Sequence, residues 1–305
     1  MLSLLIGVVA YRRQSLSRGG VAGAVLVGTL TFGLGGLSWA VVVVVFFVSS
    51  SLLTHYRAAQ KADASAQFEQ GGPPLSPAKL SPAGAKRQGD ADAGGAGASR
   101  QADAVAGGAR DFYQVLANGG AGVALAIAAA VLPTGDRLFF AAFIGAMATV
   151  TADTWATELG MLSREAPRVI TTWQAARTGE SGAVSSLGLT AAATGALVIG
   201  TAALCGKFAE SFYSDVFIRA WVWLPTAALL GGWLGSVVDS LLGATLQALY
   251  YCAPDDQYTE KVIHSCGRPT IHTRGLVWMT NDMVNFVSSI AGALIAAAVY
   301  LAIGR

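Results

Sequence analysis

The chain has 305 residues, a formal net charge of +2, 53% hydrophobic residues and only 12% charged ones. Soluble domains carry roughly 25% charged residues, so this deficit, with a mean hydropathy of +0.53, excludes an ordinary water-soluble domain and points to an integral membrane protein. The small net charge gives no basis for nucleic-acid binding, and three cysteines, Cys205, Cys252 and Cys266, are too few for a disulfide framework.

The N-terminal MLSLLIGVVAYRR places its apolar block before its arginines, the reverse of a signal peptide, and reads as a retained short helix over 1–11. Apolar segments follow at 19–36, 37–55, 111–133, 136–161, 183–206, 219–250 and 278–303, each long enough for a bilayer, which takes roughly 17 to 25 residues. The 19–36 segment, GGVAGAVLVGTLTFGLGG, is rich enough in glycine to suggest a re-entrant or closely packed helix. The expectation is an all-α polytopic membrane protein, a single domain over 1–305 with seven or eight transmembrane or re-entrant helices. Residues 57–109 are mostly Gly, Ala, Pro and polar groups and read as a largely disordered linker within it.

The joins at 12–18, 56–110, 162–182 and 251–277 are polar, whereas those near 134–136 and 207–218 are short or only mildly so. If each segment crosses once, the four polar joins share one side and carry 16 of the 20 Lys and Arg. The positive-inside rule assigns that side to the cytoplasm or its equivalent.

Charged groups within the apolar segments single out functional positions, because a charge at the bilayer centre costs at least about 2.5–3.5 kcal/mol. TADTWATELG, residues 151–160, holds Asp153 and Glu158. On a helix with Asp153 at zero, Thr157 falls at about 40°, Thr154 at about 100° and Glu158 at about 140°, one polar face. A helix end at the headgroups would also accommodate Glu158. TNDMVNFVSS, residues 280–289, repeats the pattern with Asn281, Asp282, Asn285 and Ser288, although such groups also serve as interhelical hydrogen-bond glue. Asp239 lies inside GGWLGSVVDSLLGATLQALY with Gly235 and Ser236 one turn before it. In RDFYQVLANGG, Gln114 and Asn118 share a face ahead of Gly119 and Gly120, which suggests either a broken helix with exposed backbone donors or close packing through small residues.

All four stretches approach the side that holds the polar joins. Asp153, Asp239 and Asp282, with Glu158 nearby, supply hard oxygen ligands suited to Mg²⁺. Arg110, Arg164 and Arg168 lie at adjoining helix ends, and guanidinium groups match phosphate oxygens. This combination suggests chemistry on a phosphorylated lipid. Cys252, His264, Cys266 and His272 fall together in the join 251–277, but without a close CxxC or HxxxH pair they read as loop residues rather than a zinc site.

In this order, RDFYQVLANGG, TADTWATELG, PRVITTW, GSVVDSLLGATLQ and NDMVNFVSS resemble the motifs of the integral-membrane family that includes plant phytyl-phosphate kinase and is related to transmembrane protein 19. SLSRGGVAGAVLVGTLTFG and SSSLLTHY are similar to its N-terminal part, and the resemblance spans nearly the whole chain except an insertion over 60–105. It implies a phosphotransferase that converts prenyl (phytyl) monophosphate to the diphosphate with a nucleoside triphosphate, preferably CTP, on a salvage route to tocopherol. By motif, it implies functional roles for Arg110, Asn118, Asp153, Glu158, Asp239, Asp282 and Asn285, with Arg164 and Arg168; the reading from the residues adds Gly119, Gly120 and Ser236 as substrate contacts, with Mg²⁺ held by Asp153, Asp239 and Asp282. The family pattern has a basic residue just before the position of Arg110, but here the insertion separates Lys86 and Arg87 from it.

Two other functions fit the same residues. An ion-coupled transporter would place its carboxylates near the midplane between repeated halves, and no internal repeat is visible. A cytidylyltransferase would act on the same lipid phosphate but release pyrophosphate. The expected location is an integral membrane: the plastid envelope for a photosynthetic source, otherwise an endomembrane or plasma membrane, with the active face cytoplasmic or equivalent. The oligomeric state is left open by the sequence.

Overall fold

The computed structural model describes residues 2–61, 109–213, 221–264 and 266–304. Most of the expected linker over 57–109 lies outside the described residues, as do Lys79, Lys86, Arg87, Arg100 and Arg219.

The described residues are mostly helical. In chain order the helices are α1 (Leu2–Arg12), α2 (Arg18–Gly35), α3 (Leu37–His55), α4 (Phe112–Val131), α5 (Asp136–Gly160), α6 (Ser186–Ser211), α7 (Leu224–Thr245) and α8 (Asn281–Ile303). The last seven are long and apolar enough to cross a membrane, whereas α1, with 11 residues, is too short for a bilayer and packs on α2. The glycine-rich segment forms one continuous helix, α2, rather than a re-entrant hairpin.

Helix α5 is central. Of its most apolar window, 72% is buried within the protein, against 22–44% for the other six spans, so it faces protein while its neighbours face lipid. Phe140, Phe143, Ile144 and Met147 fill its core face, and Trp39 of α3 stacks on Phe143 with ring centroids 4.2 Å apart. Small residues bring α5, α7 and α8 into backbone contact. A Cβ on Gly145 would stand 2.3 Å from the Gly292 carbonyl oxygen, and one on Gly231 would stand 2.8 Å from that oxygen. Thr149 Oγ1 lies 2.8 Å from the Gly145 carbonyl and 3.2 Å from the Gly231 carbonyl, so a polar side chain is satisfied within this dry crossing.

The joins determine what stands at each membrane face. At one end α3 begins at Gly36 without a side-chain cap of its own, and Glu210 of α6 accepts from the Ser38 backbone N–H at 2.8 Å. Glu210 also pairs with Lys207 at 3.0 Å, whose ammonium lies over the rings of Phe140 and Trp221. At the opposite end, Ser17, Asp111, Ser185 and Thr280 cap the N-termini of α2, α4, α6 and α8. Asp111 and Gln114 form a full capping box.

The polar joins at this second end fold onto one another. Leu16 and Arg110 form a parallel bridge, and Ser15 Oγ meets His55 Nε2 at 2.9 Å. The segment before α6 contains the antiparallel pair β1 (Arg168–Val169) and β2 (Ala183–Val184). The segment after α7 forms a three-stranded antiparallel sheet of β3 (Leu249–Cys252), β4 (Gln257–Thr259) and β5 (Ile271–Arg274), in the order β4-β3-β5. Ser181 donates to Glu260 and ties the two small sheets together.

Candidate functional site

Asp153 and Asp239 lie about two turns before the C-terminal ends of two different helices, α5 and α7, and their carboxyl groups face each other closely enough to interact directly. They line a polar pocket with a cavity volume of about 300 Å³. Its walls include Thr157, the α6 N-terminus at Ser185 and Gly188, Ser236 and Ser240 of α7, and Asn281 at the α8 N-terminus. Both helix starts present the positive end of a helix dipole toward the pocket, an arrangement suited to anions. Glu180, Ser181, Gln247 and Glu260 from the small sheets and their loops close the outer wall. Glu260 is exposed at the mouth. Among the described residues, Gln247 Nε2 and Arg274 Nε are buried without a hydrogen-bond partner.

A second cavity lies on the other side of α5. It opens among α1 to α4, with Ile6, Val27, Val43 and Phe46 in its walls. Arg110 and Asn118 also line this apolar cleft, and the Arg110 guanidinium sits 5.8 Å from the Phe46 ring centroid. Burial draws the Arg110 pKa below the usual arginine value, and the negative charge of Glu158 opposes that shift. Glu158 also accepts from Thr54 at 2.6 Å and forms a buried ion pair with Lys61. Lys61 belongs to a helical turn at 58–61 and donates to the exposed C-terminal carbonyls of α3, at Leu53 and Thr54.

The stretch 151–160 thus serves two sites. Asp153 and Thr157 face the polar pocket, whereas Glu158, about 140° farther round the helix, turns toward α3. The two are nevertheless linked through α8. Asn285 Nδ2 donates to Asn118 Oδ1 at 3.3 Å, while Ser288 Oγ lies 3.0 Å from the Asn285 carbonyl and 2.8 Å from Asp239 Oδ2. This polar chain runs from the apolar cleft to the paired carboxylates.

The remaining candidates are placed as follows. Asp282 is half-buried and does not line the polar pocket; its charged neighbour is Asp111. Arg164 and Arg168 are exposed, and Arg168 Nη1 donates to the Trp173 carbonyl within its own loop. Helix α4 continues unbroken through Gly119 and Gly120. Gly119 permits close packing on Val27, which would stand 2.9 Å from an added Cβ. Packing rather than an opened helix therefore explains its size. Sequence reasoning gave no role to Lys61, Glu180 and Glu260, whereas Gln247 lies on the same polar face as Asp239. Lys61 is 97 residues from Glu158 in sequence, and its only local signal is a basic residue just beyond an apolar segment.

The sequence pattern of the family described as integral membrane protein DUF92 matches residues 1–76 and 91–293. The chain belongs to this family. It is 31% identical over 302 residues to Protein PGR of Arabidopsis thaliana, covering 94% of this chain and 90% of that protein. An uncharacterised membrane protein of Methanocaldococcus jannaschii, MJ0933, is 30% identical over 191 residues, 63% of each chain. No solved structure matches. The matched family residues include both the apolar cleft and the paired carboxylates of this DUF92 member.

Proposed function

We propose that this DUF92 protein is a membrane phosphotransferase that converts a prenyl monophosphate of the phytyl class to its diphosphate, with CTP as the preferred donor. The observation that carries this reading is the juxtaposition of two unlike sites. A polar pocket with two facing carboxylates and two helix N-termini is joined, through Asn118, Asn285, Ser288 and Asp239, to an apolar cleft that contains a guanidinium group.

The donor set of the polar pocket fits Mg²⁺. Asp153 and Asp239 offer hard oxygens, Ser236 and Asn281 offer neutral ones, and no thiol lines the pocket among the described residues. Crowding two carboxylates is unfavourable unless a proton or cation separates them. Asp153 and Asp239 would hold the ion, which when bound neutralises triphosphate charge and orients the donor. The N-termini of α6 and α8 would receive the phosphate oxygens. In the apolar cleft, the prenyl chain would stay in a hydrocarbon-like environment, while Arg110, which lines the cleft, would hold the lipid phosphate.

The reaction needs no general base because the acceptor phosphate is already anionic. One of its oxygens forms the new bond to the γ-phosphorus as the β,γ-bridging P–O bond breaks, and CDP leaves with that bond's electrons. The protein's contribution is positioning and electrostatics. Facing the cytoplasm or its equivalent gives the donor access from water and the acceptor access from lipid.

The test uses the purified chain in detergent with phytyl phosphate, Mg²⁺ and γ-labelled CTP. Label in a lipid diphosphate is the expected result. Label in released pyrophosphate instead establishes cytidylyl transfer, and absence of turnover across several prenyl phosphates and nucleotides overturns the phosphotransferase reading.

A further inference from the structure

The small sheet after α7 contains a second constellation, separate from the paired carboxylates. Cys252, Asp255, His264 and Cys266 each direct one donor atom inward, and the four atoms lie within 4.8 Å of one another. Cys252 Sγ is 3.6 Å from Cys266 Sγ and 3.8 Å from Asp255 Oδ2, while His264 Nδ1 is 2.8 Å from Asp255 Oδ2. We propose that these four side chains form a structural zinc site.

The geometry fits a tetrahedral ion. Zinc–sulfur bonds of about 2.3 Å place two thiolates roughly 3.8 Å apart, close to the observed separation and far beyond the roughly 2.05 Å of a disulfide. The imidazole and carboxylate need to part by only about half an ångström to reach zinc–nitrogen and zinc–oxygen distances. Two thiolates with one imidazole and one carboxylate suit zinc and disfavour Mg²⁺ or Ca²⁺. Four protein donors complete the coordination and leave no position for substrate, as in structural rather than catalytic sites.

The local fold presents the donors in pairs. Cys252 ends β3, and Asp255 lies in the turn into β4. His264 and Cys266 occupy a second turn, closed by the His264 N–H to the Arg268 carbonyl at 2.9 Å and the Gly267 N–H to the His264 carbonyl at 2.9 Å.

The sheet needs such a staple, because strands of four, three and four residues are too short to build a core of their own. It also has a task that requires rigidity. Glu260 follows directly after β4, and Gln247 precedes β3; both line the polar pocket. The ion would therefore fix the outer wall of that pocket without touching its contents.

The test measures metal rather than activity, so its outcome is independent of the phosphotransferase reading. The full-length protein, purified in detergent and reconstituted with Zn²⁺ alone, should retain about one zinc per chain by elemental analysis. The double variant Cys252→Ser/Cys266→Ser should lose zinc by at least about tenfold, while His272→Ala and Cys205→Ser keep it. Wild-type protein loaded with Co²⁺ should show the visible bands of a tetrahedral thiolate site, which keeps the proposal testable if the double variant does not fold. Absence of zinc and of those bands in the wild type, or zinc retained by the double variant, overturns the site. So does a thiol titration of denatured, unreduced protein that finds Cys252 and Cys266 joined in a disulfide.

Discussion

At the scale of residues, the paired carboxylates and the buried ion pair are arranged to do different things. Asp153 and Asp239 face each other without a cation from the protein among the described residues that line their pocket, which suits them to bind one from solution. Asp153→Asn and Asp239→Asn should each lower phosphotransfer at least about a hundredfold, a loss of about 2.7 kcal/mol in transition-state stabilisation, with an unchanged elution profile. Full activity in either variant removes that residue from the site. Glu158, by contrast, is already matched by Lys61, with side-chain exposures of 15% and 6%. Removing one partner leaves a buried charge unpaired, so Lys61→Met should destabilise the protein by about 3 kcal/mol. The double variant Lys61→Met/Glu158→Gln should recover much of that loss, which thermal unfolding in detergent would reveal. Asp153 was legible in the sequence because a carboxylate within an apolar segment demands an explanation. Its proximity to Asp239 was not, since the approach depends on how α5 and α7 cross.

At the scale of elements, small residues decide where helices touch. Gly292 is the tightest case: an added Cβ would lie 1.9 Å from Thr149 Oγ1 and within 2.9 Å of the Gly231 and Gly145 carbonyl oxygens. Backbone atoms cannot move aside as side chains do, so Gly292→Leu should separate α5, α7 and α8. The expected result is low yield or early aggregation in size-exclusion chromatography. Gly120→Ala should behave differently. Its added carbon would make only an ordinary 3.7 Å contact with Phe286, and alanine favours a helix interior by up to about 1 kcal/mol. Stability should be retained or slightly raised, and loss of activity with intact folding would mark Gly120 as a substrate contact. The spans were legible from apolar length alone, including the break between α2 and α3 at Gly36, where φ is +86°. The small sheets were harder to read, because their strands have only two to four residues and form through pairing across loops rather than through a long hydrophobic period.

At the scale of the whole molecule, α5 separates an apolar cleft on one side from a polar pocket on the other, and both lie within reach of the same polar end. On the proposed phosphotransferase function, this division would let one protein meet an acceptor from lipid and a donor from water. If the cleft holds the prenyl chain, Ala24→Phe should fill part of it. Turnover of a C20 prenyl phosphate should then fall at least about tenfold relative to a C10 substrate, measured as the ratio of kcat/KM values, because lost burial of a few methylene groups amounts to more than 1 kcal/mol. An equal effect on both chain lengths would place the tail elsewhere.

The sequence by itself determined that this chain lives in a bilayer, where its spans lie, and which polar residues are out of place there. Those properties follow from composition and from the distance needed to cross hydrocarbon. Only the tertiary structure decided the partners: Asp153 with Asp239, Glu158 with Lys61, Asn118 with Asn285, and Cys252 with Asp255, His264 and Cys266. The physical reason is that helical periodicity sets the direction in which a side chain leaves its own axis. What it meets there depends on helix crossings fixed by glycine contacts and on loops folded against one another, and neither has a local signature in the chain.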